Sequence, residues 1–398
     1  MALPMEPWVP KSLVSQSLVR STATTLLLDF MQRATSRSPR GNMPSDNNSH
    51  KTAGGNASFG TFKLVLLVMM VLQNSATVLV GRYTRAGVAK EELYEVNHLI
   101  LVIEITKFVL SAALEFYTTQ GKLWKSINDH VLSRPLDALK ILVPALLYLV
   151  QNSLLYVALS NLTAPIFQVT YQAKLVTTAI VSVIMLQRSY SMQQWICLVM
   201  LSLGVAVVVL GEKKAEEHHD HQNLLLGLIA VSIACLSSAL AGVYFEKVLK
   251  KPDKDMDASV APPSLWMRNM QLAFYSVLIA FVQGLVQEGS PELQGKPYLH
   301  GFSSWAWFLV LLQAGGGMLV AAVIKYADNV LKGLATGVSV VVGTACSTVL
   351  FQTPLSSQFS IGATMILASV YCFSNPLPKA FSSLFPKNHN ETESLIPK

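Results

Sequence analysis

The sequence predicts an all-α membrane protein of ten transmembrane helices in two inverted five-helix repeats. Three observations lead there. Of 398 residues, 52% are hydrophobic and only 13% charged, with a mean hydropathy of +0.43; a soluble domain carries about 25% charged residues. The apolar residues gather into runs of the ~20 residues that a helix needs to cross a ~30 Å hydrocarbon core. Two short pieces, LQRSYSMQQWI (186–196) and FQTPLSSQFSI (351–361), match at Gln187/Gln352, Ser191/Ser356, Gln193/Gln358 and Ile196/Ile361.

Residues 1–58 are polar, rich in Ser and Asn, and read as a disordered cytosolic tail. Arg20, Arg33, Arg37 and Arg40 give its start a faint likeness to a transit peptide, and Met43 is an alternative start. The transporter-like core is expected over 59–376. Apolar runs at 60–81, 96–117, 138–159, 164–186 and 193–211 make a first half, 59–211. Runs at 223–245, 266–287, 305–326, 333–351 and 357–376 make a second, 223–376, before a cytosolic tail at 377–398. The matched pieces each join the fourth and fifth runs of a half. Five is odd, so the second half begins on the opposite side of the membrane and the repeat is inverted, the arrangement that builds alternating access around a midplane site.

The pI near 9.1 does not require a nucleic-acid partner. With both termini in the cytosol, the tails and even-numbered loops hold 20 Lys and Arg against six in the odd-numbered loops (Arg82, Arg85, Lys90, Lys213, Lys214 and Lys296), as the positive-inside rule requires. Cys197, Cys235, Cys346 and Cys372 all fall in apolar runs without CxxC spacing, so buried free thiols are expected rather than zinc or disulfides. His218, His219, Asp220 and His221 read as a solvated loop before a metal site. The sequons at Asn47, Asn56 and Asn390 fall on the cytosolic side, and Asn161 sits in a very short loop; none is expected to carry glycan.

Charges inside the apolar runs carry the functional argument, because a lysine at the bilayer centre costs about 2.5–3.5 kcal/mol on insertion scales. Lys174 lies inside QVTYQAKLVTTAIVSVIML (168–186), and no Asp or Glu occurs between Ala138 and Gly211. At helical spacing Phe167, Tyr171, Lys174 and Thr178 form one stripe. Tyr148 and Asn152 repeat that spacing in the third run, with Gln151 adjoining; Ser237 and Ser238 lie in the sixth run, and Asn269 in the seventh beside Arg268. Glu104 and Lys107 are placed to pair at i, i+3, as a gate or as a self-neutralising structural pair. In KYADNVLKG, Asp328 is placed to pair with Lys325 or Lys332, which leaves a cation over. Cations, amides, hydroxyls and rings around one cavity suit an anionic, partly aromatic ligand, with each lysine acting as a point charge on phosphate. There is no Walker A motif, HExxH, DxD or Ser/His/Asp array, so catalysis, ATP hydrolysis and a cofactor are not expected.

QNSLLYVALSNLTAPIFQVTYQAK (151–174), AGVYFEKVLK (241–250), LWMRNMQ (265–271) and IKYADNVLKG (324–333) together resemble the nucleotide-sugar transporters of the UDP-galactose, UDP-N-acetylglucosamine and CMP-sialic acid subfamily. The resemblance runs from about 60 to 376. It implies the drug/metabolite transporter fold, a Golgi location, and exchange of a nucleotide sugar for a nucleoside monophosphate. It implies Lys174 and Lys332 as phosphate ligands, and Tyr148, Asn152, Ser238 and Asn269 as lining residues; Tyr171 joins them by helical geometry. Membrane lipid, glycosyltransferases and a second copy of the chain are the further partners considered. Phe167 departs from a common Tyr, and Ala273 stands where CMP-sialic acid carriers resemble one another in having Tyr. The small residue resembles the UDP-sugar branch and leans toward UDP-galactose or a UDP-N-acetylhexosamine, with a CMP-sialic acid/CMP antiporter or a general drug/metabolite exporter of the same fold as the alternatives.

Overall fold

A computed structural model describes residues 53–85, 92–212, 223–250, 262–287, 299–351 and 356–375. Among these there is no β-strand. The helices are α1 (Ala53–Tyr83), α2 (Val96–Thr118), the short α3 (Leu123–Ile127), a π-helical turn (Asn128–Leu132), α4 (Pro135–Leu139), α5 (Leu142–Asn161), α6 (Ala164–Tyr171), α7 (Ala173–Leu186), α8 (Met192–Glu212), α9 (Leu224–Lys250), α10 (Leu265–Gln287), α11 (Ser304–Tyr326), α12 (Asn329–Phe351) and α13 (Ser357–Ser374). Eight of the expected spans are long and apolar enough to cross a bilayer: within α1, α4–α5, α6–α7, α8, α9, α10, α11 and α12. Only 22–50% of each span's apolar window is buried inside the protein; the rest presents Leu72, Val78, Val109, Ile184 and their like outward, where lipid is the fitting solvent. Helices suit that solvent because they satisfy their own backbone. This is a multi-pass membrane protein.

The helix ends follow from local chemistry. Ser303 and Ser356 cap α11 and α13, each hydroxyl accepting the amide three residues on, Ala306 at 3.3 Å and Phe359 at 3.1 Å. Asp328 caps α12 by accepting Leu331 N–H at 2.7 Å. Gln187, left-handed at φ 54°, ends α7. In the packing, α12 lies along α1, α9 against α5 and α7, α10 against α2, α13 against α8, and α11 against α1 and α2. The α8–α13 seam brings backbones together: a Cβ on Gly362 would stand 2.6 Å from the Gly204 carbonyl.

Several boundaries differ from expectation. The run 164–186 is not one helix: at Gln172 the bonding tightens, with Gln172 N–H donating to Val169 and Leu175 N–H to Gln172, both i−3 rather than i−4. The sixth run continues past 245 to Lys250, because Glu246 and Lys250 find partners inside the protein. The ninth helix begins at Asn329 rather than 333, which puts Lys332 inside it. Cys346 is exposed rather than buried. Residues 1–52, 376–398 and the histidine loop lie outside the described residues, whereas 53–58 of the expected tail are already helical, within α1.

Candidate functional site

Lys174 stands two residues past the break at Gln172, so Tyr171 and Lys174 project from the ends of two helix segments rather than from one continuous stripe. Lys174 Nζ donates to Tyr171 Oη at 3.1 Å and lies 5.2 Å from its ring centre. Gln151 Nε2 donates to the same phenol at 3.3 Å. Phe167 stacks on Tyr171, centroids 5.6 Å apart and planes 9° from parallel. The Tyr171 carbonyl, freed by the break, accepts the Cys235 thiol of α9 at 3.6 Å. Tyr148, half-buried, sits near enough to Tyr171 for the two phenols to interact electrostatically.

Lys332 meets Lys174 across the α7–α12 contact. Gly333 makes the contact close, since a Cβ there would overlap Leu175 Cδ1. The two ammonium groups are close enough to repel. Among the described residues, no carboxylate lies within 4.0 Å of either. Tyr171, Gln151, Lys174 and Lys332 thus gather as a cationic, aromatic-walled site. Ser237 and Ser238 are buried in α9, 6% and 5% exposed. Asn269 is buried too, but its amide donates to Ser111 Oγ of α2 at 3.0 Å. Asn152 is exposed; of the adjacent amides, it is Gln151 that reaches the phenol. Ala273 is fully buried.

Glu104 and Lys107 pair as their spacing implies, with Nζ 2.9 and 2.8 Å from the two carboxylate oxygens. The expected partners of Asp328 are wrong. Asp328 pairs with Arg188, at 3.3 Å, and not with Lys325 or Lys332. Lys325 instead lies 5.7 Å from the Tyr326 ring centre. Arg188 reaches two carboxylates at once, because its other terminal nitrogen lies 2.6 Å from Glu246. Glu246, fully buried, also takes Lys250 Nζ at 2.7 Å and the Asn329 amide at 3.1 Å. Lys250 in turn donates to the Ala327 carbonyl. One network therefore joins the α7–α8 turn, the last turns of α9 and the α11–α12 break. Arg188 lies outside the spans; burial alone lowers its proton affinity, but Asp328 and Glu246 more than reverse this. Tyr190 beside it is pushed up to about 12 by burial and Asp328.

The family model described as nucleotide-sugar transporter matches residues 58–374. The chain belongs to the nucleotide-sugar transporter family. It is 38% identical over 324 residues to the UDP-galactose translocator of Mus musculus, covering 80% of each chain. It is 36% identical over 325 residues to the UDP-N-acetylglucosamine transporter of Homo sapiens, covering 79% of this chain and 96% of that one. A UDP-galactose/UDP-N-acetylglucosamine transporter of Caenorhabditis elegans is 36% identical over 319 residues, covering 80% and 84%. A solved crystal structure only 12% identical superposes with a TM-score of 0.56, covering 78% of this chain and 96% of its own. That likeness concerns the fold alone. The relatives named here are transporters, which agrees with the absence of a catalytic motif in the sequence.

Within this nucleotide-sugar transporter, Glu246 and Arg188 are the residues that sequence reasoning missed. Glu246 lies in FEKVLK, whose charges look like the flank of a cytosolic loop. The available signal was its spacing: Glu246 and Lys250 stand at i, i+4 on one helix face. At the opposite end, Asn161 of the sequon is occupied, its amide donating to Val157 and its oxygen accepting Asn223 N–H.

Proposed function

We propose that this protein carries a UDP-sugar, UDP-galactose or a UDP-N-acetylhexosamine, into the Golgi lumen in exchange for UMP. The observation that carries the reading is the facing of Lys174 and Lys332 without a carboxylate partner among the described residues. At about 4 Å and an effective dielectric near 20, each lysine–phosphate pair is worth roughly 4 kcal/mol before desolvation. A diphosphate between the lysines supplies both counter-charges at once. Tyr171 and Phe167 offer a stacked aromatic wall for a base, and Tyr148, Asn152, Ser238 and Asn269 line the remainder. The printed activities of the relatives favour UDP-galactose and UDP-N-acetylglucosamine.

The transport cycle follows from ten helices in two inverted halves, about 59–211 and 223–376, with both termini cytosolic. The packing supports this pairing of halves. If the first to fifth long segments correspond to the sixth to tenth, the α1–α12 contact exchanges with α9–α7, and α1–α11 with α9–α5, while α2–α10 and α8–α13 map onto themselves. Glycosyltransferases, which consume the imported sugar and release UDP, are the natural downstream partners; hydrolytic loss of one phosphate from that UDP gives the UMP returned by exchange.

Exchange in proteoliposomes tests the reading. Vesicles loaded with UMP should take up labelled UDP-galactose or UDP-N-acetylglucosamine faster than empty ones. Lys174→Ala and Lys332→Ala should each abolish that uptake in folded protein. Near-normal exchange by either variant removes that lysine from the mechanism, and equal uptake by loaded and empty vesicles rejects antiport.

A further inference from the structure

The connection between α2 and α5 carries two sets of groups with different surroundings. It turns at Gln120 and Gly121, both left-handed at φ 53° and 85°, and runs through α3, the π-helical turn and α4. One set ties it to the bundle. Ser126 donates to Glu115 of α2 at 2.5 Å. The His130 carbonyl accepts Gln271 Nε2 of α10 at 3.2 Å. Asp137 accepts Arg268 of α10 twice, at its carboxylate (2.6 Å) and at its carbonyl (3.2 Å). The other set points away from the protein. Trp124, Leu132 and Leu136 are 73%, 58% and 78% exposed. Lys122 and Lys125 are exposed as well, and among the described residues neither has a carboxylate within 4.0 Å.

Neither water nor hydrocarbon suits the outward set. A tryptophan and two leucines so exposed on one short connection make an apolar patch that water disfavours. Hydrocarbon is excluded by the lysines and by the backbone, because helices of five residues leave most of their amides and carbonyls without intrahelical partners. The headgroup layer accommodates both, and it is the depth at which Trp and Tyr collect. Phe116 and Tyr117, exposed at the end of α2 just before the turn, extend the aromatic belt. Charge then selects the lipid. Between 122 and 140 stand Lys122, Lys125, Arg134 and Lys140 against Asp129 and Asp137, and Asp137 is already held by Arg268. The segment therefore offers surplus positive charge to whatever covers it.

We propose that residues 122–140 form an in-plane ledge that docks on anionic phospholipid headgroups. Lys122 and Lys125 take the lipid anions, while Trp124, Leu132 and Leu136 rest at the acyl boundary. Glu115 and Arg268 fasten the ledge to α2 and α10, so the lipid surface holds the ends of both helices at a fixed depth. In the orientation proposed above this is the cytosolic leaflet, whose surface is the negative one.

The test uses the full-length protein in mixed micelles and follows its melting temperature as phosphatidylserine replaces phosphatidylcholine. The melting temperature should rise with phosphatidylserine, and less so at high salt. In the double variant Lys122→Gln/Lys125→Gln, the phosphatidylserine fraction giving half of that rise should increase about tenfold, the equivalent of about 1.4 kcal/mol. Its melting temperature in phosphatidylcholine alone should be unchanged, which shows that the variant is folded. Lys247→Gln, which neutralises an exposed cation at the end of α9, should leave the half-rise fraction within about twofold. No rise with phosphatidylserine, or an equal response in the double variant, overturns the proposal. A loss in Lys247→Gln as large as that in the double variant overturns it too, because the lipid then reads overall charge rather than the ledge. Depth is read in vesicles from the emission that Trp124→Phe removes. Lipids brominated along their acyl chains should quench it. Quenching by dissolved iodide alone places the ledge in water and leaves its lysines to a soluble acidic partner, against the proposal. No nucleotide enters these measurements, so they stand or fall apart from the exchange assay.

Discussion

The two ends of the helical bundle are held together by different chemistry. At the end where α7, α9 and α11 finish, carboxylates do the joining. Glu246 and Asp328 tie down Arg188 and Lys250. Asp137 holds Arg268 at 2.6 Å, and buried Glu115 accepts the hydroxyls of Ser126, at 2.5 Å, and Ser264. At the other end the contacts among the described residues include rings, hydroxyls and a tight turn. Tyr83 meets Trp305 edge-on, and Tyr94 meets Phe302. Arg85 lies 5.2 Å over Tyr94, and Arg82 donates to Ser347 at 2.7 Å. Buried ion pairs resist the removal of one partner, because the other charge is then stranded. Ring and hydroxyl contacts lose only what they contribute. The first end should therefore fail abruptly on single substitutions and the second gradually.

The sharpest way to break the comparison is Glu246→Ala, which leaves Arg188 with Asp328 alone and Lys250 with no carboxylate. It should cost about 3–5 kcal/mol, the range for a broken buried pair, seen as a large fall in melting temperature in detergent. An unchanged melting temperature would remove the network from any role in stability. On the opposite end the strongest single change is Gly301→Ala. Gly301 has φ +75°, and an added Cβ would overlap the Glu92 carbonyl. Strain and crowding together should cost about 1–3 kcal/mol; a cost equal to that of Glu246→Ala would erase the difference between the ends. Ser126→Ala should cost less, about 1 kcal/mol, because Glu115 keeps Ser264 as a donor.

The smallest effect is a pH dependence. His130, in the π-helical turn at the ion-paired end, has its proton affinity lowered by burial, with Arg134 and Arg268 acting in the same direction and Asp129 and Glu115 opposing. Its Nδ1 is buried and unpartnered. The folded state thus binds this proton less readily than the unfolded chain. Its contribution is complete above the unfolded value, about 6.5, and is lost as pH falls from there toward the folded value. The melting temperature of His130→Gln should fall less than that of the unaltered protein when pH is lowered from about 7 to about 5. Identical slopes would assign the acid sensitivity elsewhere.

The sequence made Lys174 conspicuous because a charge in an apolar run stands out by itself, and the Glu104–Lys107 pair was legible from spacing alone. The break at Gln172 was not legible, since QVTYQAK holds neither Pro nor Gly; the tightened turn shows in its i−3 hydrogen bonds and in Cys235 of α9 meeting the freed carbonyl. Asp328 was misassigned because sequence reasoning weighs neighbours along the chain, whereas its partner lies 140 residues away in sequence, on the α7–α8 turn.

The facing lysines carry one more consequence. A monovalent cation about 6 Å from both would meet roughly 3 kcal/mol of repulsion from each at an effective dielectric near 20. That sum is equivalent to an exclusion of about 10⁴-fold. If the two lysines hold the phosphates as proposed, the same charges disfavour sodium and potassium at that site relative to an anionic ligand.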